Sequence, residues 1–393
     1  MKTVGIICEY NPFHLGHAGH IEKTKEALDG DACIICVMSG NFVQRGDFAV
    51  FNKHARAKMA VLNGADVVIE LPSPYALLSA GEFAKAGVYL LNELCICDYI
   101  SFGSESGEIE QLRIAADVIT TDRAQMHIKE RMAQGLSYAT AQQKAADEQL
   151  GEKSNIFGKP NNILAIEYIK AINEMKSPIQ PITIKRFGGE HDSSTGYSAT
   201  ALRKILSNGD IPVENMPGAA IAVCMEEIVL ERGPVYIKEA EQAIMARLRN
   251  IKDFSCISGS TDGLDRRFLK YATVMPTVIS LIESIKSKRY AMSRIRRMLM
   301  CAVLNITNED VKRPPPYIRI LAMNEKGKET LRKARKLTKL PIITKPASIY
   351  KNNKQAVRIF ELEAMATDFY ALAYAKTDYR TGGGEWKQSP VIV

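Results

Sequence analysis

The chain has 393 residues, 46% of them hydrophobic and 24% charged, and a formal net charge of +8. That balance supplies apolar material for a core and excludes a wholly disordered chain, and no apolar run approaches the ~20 residues of a membrane span. At roughly 150 residues per domain the length implies two or three domains.

The opening MKTVGIICEY has one lysine, a short apolar run and then Glu9. It is too short and too soon charged for an export signal, and it reads as a strand over 4–8. A helix is expected over 17–28, a buried strand over 33–38, and a helix over 53–62 ended by Asn63-Gly64. A third strand over 67–71 stops at Pro72, followed by a helix over 80–94 and a fourth strand over 99–102. Helices then run over 108–119, 123–134, 138–150 and 162–175, before a fifth strand over 182–185 and a helix over 199–206. Strands apolar throughout and separated by helices imply a parallel sheet covered on both faces. The expectation is a doubly wound, five-stranded α/β domain over residues 1–215, with ligands bound beyond the C-terminal ends of its strands. The loops to watch are 9–15, 39–47, 103–107 and 187–197.

From 216 to 380 helical periods dominate, over 219–230, 240–250, 277–288, 293–304 and 358–376. A strand–helix–strand piece is expected over 318–323, 326–337 and 341–344. Residues 381–393 contain three consecutive glycines and read as a tail, loose or wrapped on the surface. Charge divides along the chain. Residues 1–250 carry 25 Lys and Arg against 31 Asp and Glu, whereas residues 251–393 carry 27 against 13. A basic final third fits a polyanion partner, and it fits a solvated lysine-rich surface equally well. Cys33/Cys36 and Cys95/Cys97 have metal-like or redox-like spacing but lie in strand-like apolar runs. They read as buried thiols in a reducing, cytoplasmic compartment, with no metal site and no disulfides expected.

The strongest chemical signal is the segment from Glu9 to His17, EYNPFHLGH, which leaves the first strand and opens a helix. A helix start offers free N–H groups to phosphate. Two imidazoles three residues apart, His14 and His17, can face the same anion and stabilise charge building on an α-phosphate. Alone this H-x-G-H is weak. A second element accompanies it: Ser198-Ala-Thr200-Ala-Leu-Arg203 at another helix start, with hydroxyls for phosphates and Arg203 to clamp them. No P-loop and no G-x-G-x-x-G follows a strand.

The ordered segments EYNPFHLGHAGH, MSGNFVQRGD, HARAKMA, DVVIELP, FGSES, PNNILAIEYIKA, YSATALRKIL and the closing DYR…SPVIV resemble the bacterial tRNA(Met) cytidine acetate ligase family. The resemblance implies a nucleotidyltransferase-type α/β domain plus a basic, mainly helical RNA-binding part. It implies activation of acetate by ATP to acetyl-adenylate, then acetylation of the wobble cytidine of elongator tRNA(Met), without acetyl-CoA. By position it implies an ATP site at Ile7, Cys8, Glu9, Tyr10, Asn11, Pro12, Phe13, His14, Leu15, Gly16, His17 and His20, with Gly103, Asn161 or its neighbour Asn162, Arg186 and Phe187. Ser198 and Thr200 join these from the second motif, and His14, His17 and Arg203 take the catalytic roles. Magnesium would arrive on the ATP phosphates. Gln44, Arg45 and Asp47, in a loop at a strand's end, fit two readings equally: closing over the adenylate or receiving the cytidine, and a solvated surface loop. Arg294, Arg296 and Arg297, and Arg332, Lys333, Arg335 and Lys336, would track RNA phosphates. The motifs leave two other readings open: a small-molecule adenylyltransferase acting on a phosphorylated vitamin precursor, and a non-catalytic RNA-binding protein.

Overall fold

The computed structural model describes residues 1–186 and 198–393, leaving aside the side chain of residue 152. Among the described residues ten strands form: β1 Lys2–Cys8, β2 Ala32–Ser39, β3 Phe42–Val43, β4 Asp47–Phe48, β5 Val67–Leu71, β6 Tyr99–Ser104, β7 Gln180–Lys185, β8 Ile318–Met323, β9 Ile342–Ile343 and β10 Val391–Ile392. The main sheet has the order β10-β8-β5-β2-β1-β6-β7, with β9 also on β8, and β3 and β4 make a separate hairpin. The five strands read from the sequence are all present and mutually parallel. β1 is central, so the loop leaving it opens where the strand order reverses direction, the usual ligand position in such sheets.

Strand periodicity sorts the side chains between two cores. Cys33, Ile35 and Val37 of β2 face one side with Ile69, Ile320 and the helices Ala80–Glu93, Pro160–Glu174, Glu325–Leu337 and Lys354–Ala371. Ile34, Cys36 and Met38 face the other with the helices Leu15–Glu26, Lys53–Leu62 and Gly218–Val229. Cys33 and Cys36 therefore point to opposite faces and cannot share an ion. All eight cysteines are free thiols. No helix among the described residues is long and apolar enough to cross a membrane.

The sheet takes strands from both sides of residue 215. β8 joins β5 antiparallel, and β9 and β10 share its outer edge. The tail expectation is corrected: residues 391–392 pair with β8, and Glu385 is 1% exposed. Local glycine content suggested looseness, but a buried ion pair decides the matter. Lys53 Nζ lies 2.6 Å from Glu70, 3.1 Å from Glu363 and 2.7 Å from Glu385, all of them buried. Buried Arg319 reaches Glu385 at 3.4 Å and donates to the Gln388 carbonyl at 2.6 Å. The helices Glu241–Asn250, Leu264–Val274, Val278–Ile285 and Met292–Val303 pack as a cluster beside the sheet. The helix Leu264–Val274 escaped the sequence reading because Asp265, Arg266, Arg267 and Lys270 mask its apolar stripe of Leu264, Phe268 and Ala272.

Candidate active site

The chain leaves β1 and reaches the helix Leu15–Glu26 within six residues, through Tyr10 at φ +47° and a cis Asn11–Pro12 peptide. His14 is the N-cap. Its Nδ1 accepts from the Gly16 N–H at 3.0 Å, and His17 Nδ1 accepts from the His14 N–H at 3.3 Å. Gly16 is required there, because a Cβ would stand 2.9 Å from His14 Cε1. The two rings stack with centroids 3.7 Å apart, backed by Tyr10 and Phe13.

These backbone bonds fix the tautomer. A neutral ring that accepts at Nδ1 carries its proton on Nε2. Burial keeps both rings neutral. It lowers His14 to about 4, helped by the charges of Arg186 and Arg203. It holds His17 well below the ordinary range, helped by His14, Arg186 and His20. His20 is lowered to about 4 by burial and Arg186. Its Nε2 lies 3.0 Å from Ser101 Oγ, which in turn meets Thr24 Oγ1 at 2.7 Å. His20 thus ties the helix to β6.

Two guanidinium groups flank the rings. Arg186, at the end of β7, donates to Asn161 Oδ1 at 3.3 Å, and its side chain lies over Gly103, where a Cβ would meet its Cγ at 3.1 Å. Asn161 Nδ2 donates to Glu105 at 2.6 Å. Asn162 instead fastens the loop after β6, its Oδ1 accepting from the N–H groups of Glu105 and Ser106. Asn161, not Asn162, is thus the one beside Arg186. Arg203 donates to the Asn11 carbonyl at 2.9 Å and to Thr200 Oγ1 at 3.0 Å. Ser198 Oγ caps its own helix at the Ala201 N–H, 3.2 Å away. Phe187 lies outside the described residues.

The remaining loop positions play lesser parts. Ile7 packs against the helix at Gly87, and Cys8 is a half-buried thiol pushed up by desolvation. Tyr10 OH meets Cys36 Sγ at 3.4 Å, and Asn11 Oδ1 accepts from the Val50 N–H at 2.8 Å. Pro12 is buried, and Leu15 is exposed. Glu9 accepts from the Gln44 N–H at 2.6 Å; burial raises its carboxyl, opposed by that bond and by Arg45, Arg203 and Arg56.

Arg56 is the residue the sequence reading missed. It is fully buried, and it donates to the carbonyls of Phe51 at 2.9 Å, Glu9 at 2.5 Å, Ser39 at 3.1 Å and Gly40. One side chain thereby fixes the C-terminal ends of β1 and β2. A charged side chain among Ala55, Ala57 and Ala60 was the available signal.

The basic residues divide into two groups. Arg294 is bound to Asp262 at 2.8 Å, Arg296 to Asp47 at 3.1 Å, and Arg297 is half-buried. Arg294 thus braces the helical cluster internally, and Arg296 braces it against the 44–47 loop. Arg332, Lys333, Arg335 and Lys336 are exposed on the helix Glu325–Leu337 and form no ion pair among the described residues.

A family model described as HIGH Nucleotidyl Transferase matches residues 1–384. The chain is 36% identical over 419 residues to the tRNA(Met) cytidine acetate ligase of Acetivibrio thermocellus, with all of both chains covered. It is 39% identical over 386 residues to that of Caldanaerobacter subterraneus, covering 95% of this chain and 96% of the relative. Its fold matches the crystal structure of Thermotoga maritima TmcAL bound with alpha-thio ATP, with a TM-score of 0.93 and 33% identity over all of both chains. The expected α/β nucleotidyltransferase fold is the fold observed, and the chain belongs to the HIGH nucleotidyl transferases and, within them, to the tRNA(Met) cytidine acetate ligase family.

Proposed function

We propose that this protein is an ATP-dependent ligase that activates acetate and acetylates the wobble cytidine of elongator tRNA(Met). The observation that carries the reading is the stacked His14/His17 pair, whose Nδ1 atoms are both occupied by backbone N–H groups. Both Nε2–H groups are left as neutral donors between Arg186 and Arg203. Such a pair suits the α-phosphate, where negative charge grows as a nucleophile attacks, and preorganised donors act strongly in a dry site. Arg186 and Arg203 suit the β- and γ-phosphates.

In the first step an acetate oxygen bonds to the α-phosphorus. The bond from that phosphorus to the bridging oxygen breaks, and pyrophosphate leaves with the electron pair. In the second step the cytidine exocyclic nitrogen bonds to the acetyl carbon. The acyl–phosphate bond breaks, AMP leaves, and the nitrogen sheds one proton. Acetate and ATP supply everything this balance needs, so acetyl-CoA has no part. Magnesium enters on the ATP phosphates. The four exposed cations on the helix Glu325–Leu337 would meet RNA phosphates. The reaction belongs in the cytoplasm, where its tRNA substrate is found.

The test is ATP–pyrophosphate exchange without RNA. Exchange that requires acetate, and falls ~10²–10³-fold on loss of His17, is the expected result. Exchange driven by a phosphorylated small molecule instead would replace this reading with the vitamin-type adenylyltransferase.

A further inference from the structure

The chain has one tryptophan, Trp386. Tyr350 lies on it nearly parallel, with 5.3 Å between centroids and 4° between planes. Trp386 rests on Phe360 at 4.9 Å, and Phe360 on Tyr317 at 5.9 Å; both of these last rings are fully buried. The result is a ladder of four rings rising from the core to the surface. Its top ring is 60% exposed, although its inner face is held in an offset stack. A large aromatic ring fixed from beneath and open above has already lost its rotamer freedom, so a planar ligand can stack on it at little further cost.

Charge states what kind of ligand. Residues 330–360 contain nine Lys and Arg and no Asp or Glu. Lys345, Lys351 and Lys387, on the short elements that carry Tyr350 and Trp386, and Lys354, at the start of the helix Lys354–Ala371, are exposed and form no ion pair among the described residues. The nearest carboxylate in sequence, Glu385, is turned inward onto Lys53. A ring to stack on, surrounded by unpaired cations, matches an unstacked base and its flanking phosphates. The position agrees. β8 runs antiparallel to β5, so Tyr317, just before it, lies at the same end of the strands as the His14 loop. Three strand spacings, roughly 15 Å, separate β8 from β1, and three ring-to-ring steps of 5.9, 4.9 and 5.3 Å lead on from Tyr317 to Tyr350, a span that one folded RNA can bridge.

We propose that Tyr350, stacked on Trp386, is a platform for an unstacked nucleobase of the RNA substrate, outside the site where the acetyl group is transferred. The proposal rests on the tRNA reading above.

The experiment uses the full chain and selective tryptophan excitation at one fixed salt concentration. Unmodified elongator tRNA(Met) is expected to change Trp386 emission saturably, and ATP alone is not. Tyr350→Ala is expected to weaken tRNA binding about tenfold, the usual effect of losing one stacked base. Tyr350→Phe keeps the stack and is expected to bind as wild type. Tyr350→Leu keeps bulk without a π face and is expected to fail like the alanine variant. Acetate-dependent pyrophosphate exchange without RNA is expected to be unchanged in all three, which shows that they fold. Full tRNA affinity in Tyr350→Ala, or silent Trp386 emission as tRNA binds, overturns the platform. Emission that changes with protein concentration and not with RNA assigns the surface to a protein contact and overturns it too. A wild-type protein that supports no acetate-dependent exchange contradicts the functional reading itself.

Discussion

Replacing His14 by Asn separates two things the ring does. Asn is among the best N-cap residues, so its side-chain oxygen can take over the bond from the Gly16 N–H and keep the start of the helix Leu15–Glu26. The proton equilibrium and the Nε2–H donor are lost. Burial, aided by Arg186 and Arg203, lowers His14 from 6.5 to about 4. Between those values the unfolded chain binds a proton that the folded chain refuses. Stability is therefore full above the unfolded value, falls as pH drops toward about 4, and levels off below it. At 1.36 kcal/mol per pH unit the loss reaches about 3 kcal/mol. Urea unfolding of wild type and His14→Asn from about pH 7.5 to about pH 4 measures it as the difference between two curves. The curves should agree within about 1 kcal/mol at neutral pH, and the wild type should lose about 3 kcal/mol more by the acid end. The same variant should form acetyl-adenylate ~10²–10³-fold more slowly. Curves that stay parallel throughout would refute the buried neutral imidazole.

Gly46 stands at φ +72°, and a Cβ there would lie 2.4 Å from the Arg296 backbone. Gly46→Ala should cost about 1–3 kcal/mol in urea unfolding; an unchanged midpoint would mean that the loop does not press on the helix Met292–Val303. Lys53→Met leaves the buried Glu363 carboxylate without its cation and Glu385 with Arg319 alone, and should cost about 3–5 kcal/mol. Glu70→Gln should cost under about 1 kcal/mol, because burial and Glu363 already hold the Glu70 carboxyl far above its usual range; equal losses in the two variants would contradict this. Replacing Arg332, Lys333, Arg335 and Lys336 by Ser should flatten the salt dependence of tRNA binding by roughly one in log–log slope per charge removed, with little effect on stability. An unchanged slope would move the RNA to another face.

The parallel strands were legible because each is a short, mainly apolar run set between helices, and the His14 and Arg203 motifs because each sits at a helix start. The contribution of the C-terminus to the sheet was not. β10 is two residues long and carries no periodicity of its own. It exists through pairing with β8 and through Glu385 meeting Lys53, contacts more than 300 residues apart in the chain for the ion pair. Arg56 was hidden for a related reason: its role is to satisfy four carbonyls from separate segments, and no local pattern records that. The arginines of the helix Met292–Val303 have partners that no local pattern records. Their spacing suits a phosphate track, and in the fold Asp262 pairs with Arg294 and Asp47 with Arg296.

The most direct test of the account is the RNA product. The protein, ATP, magnesium and labelled acetate are incubated with unmodified elongator tRNA(Met), and the digested nucleosides are analysed by mass spectrometry. The account predicts labelled acetylcytidine at the wobble position that requires ATP and is not supported by acetyl-CoA in its place. Unmodified cytidine in the presence of all components would contradict it.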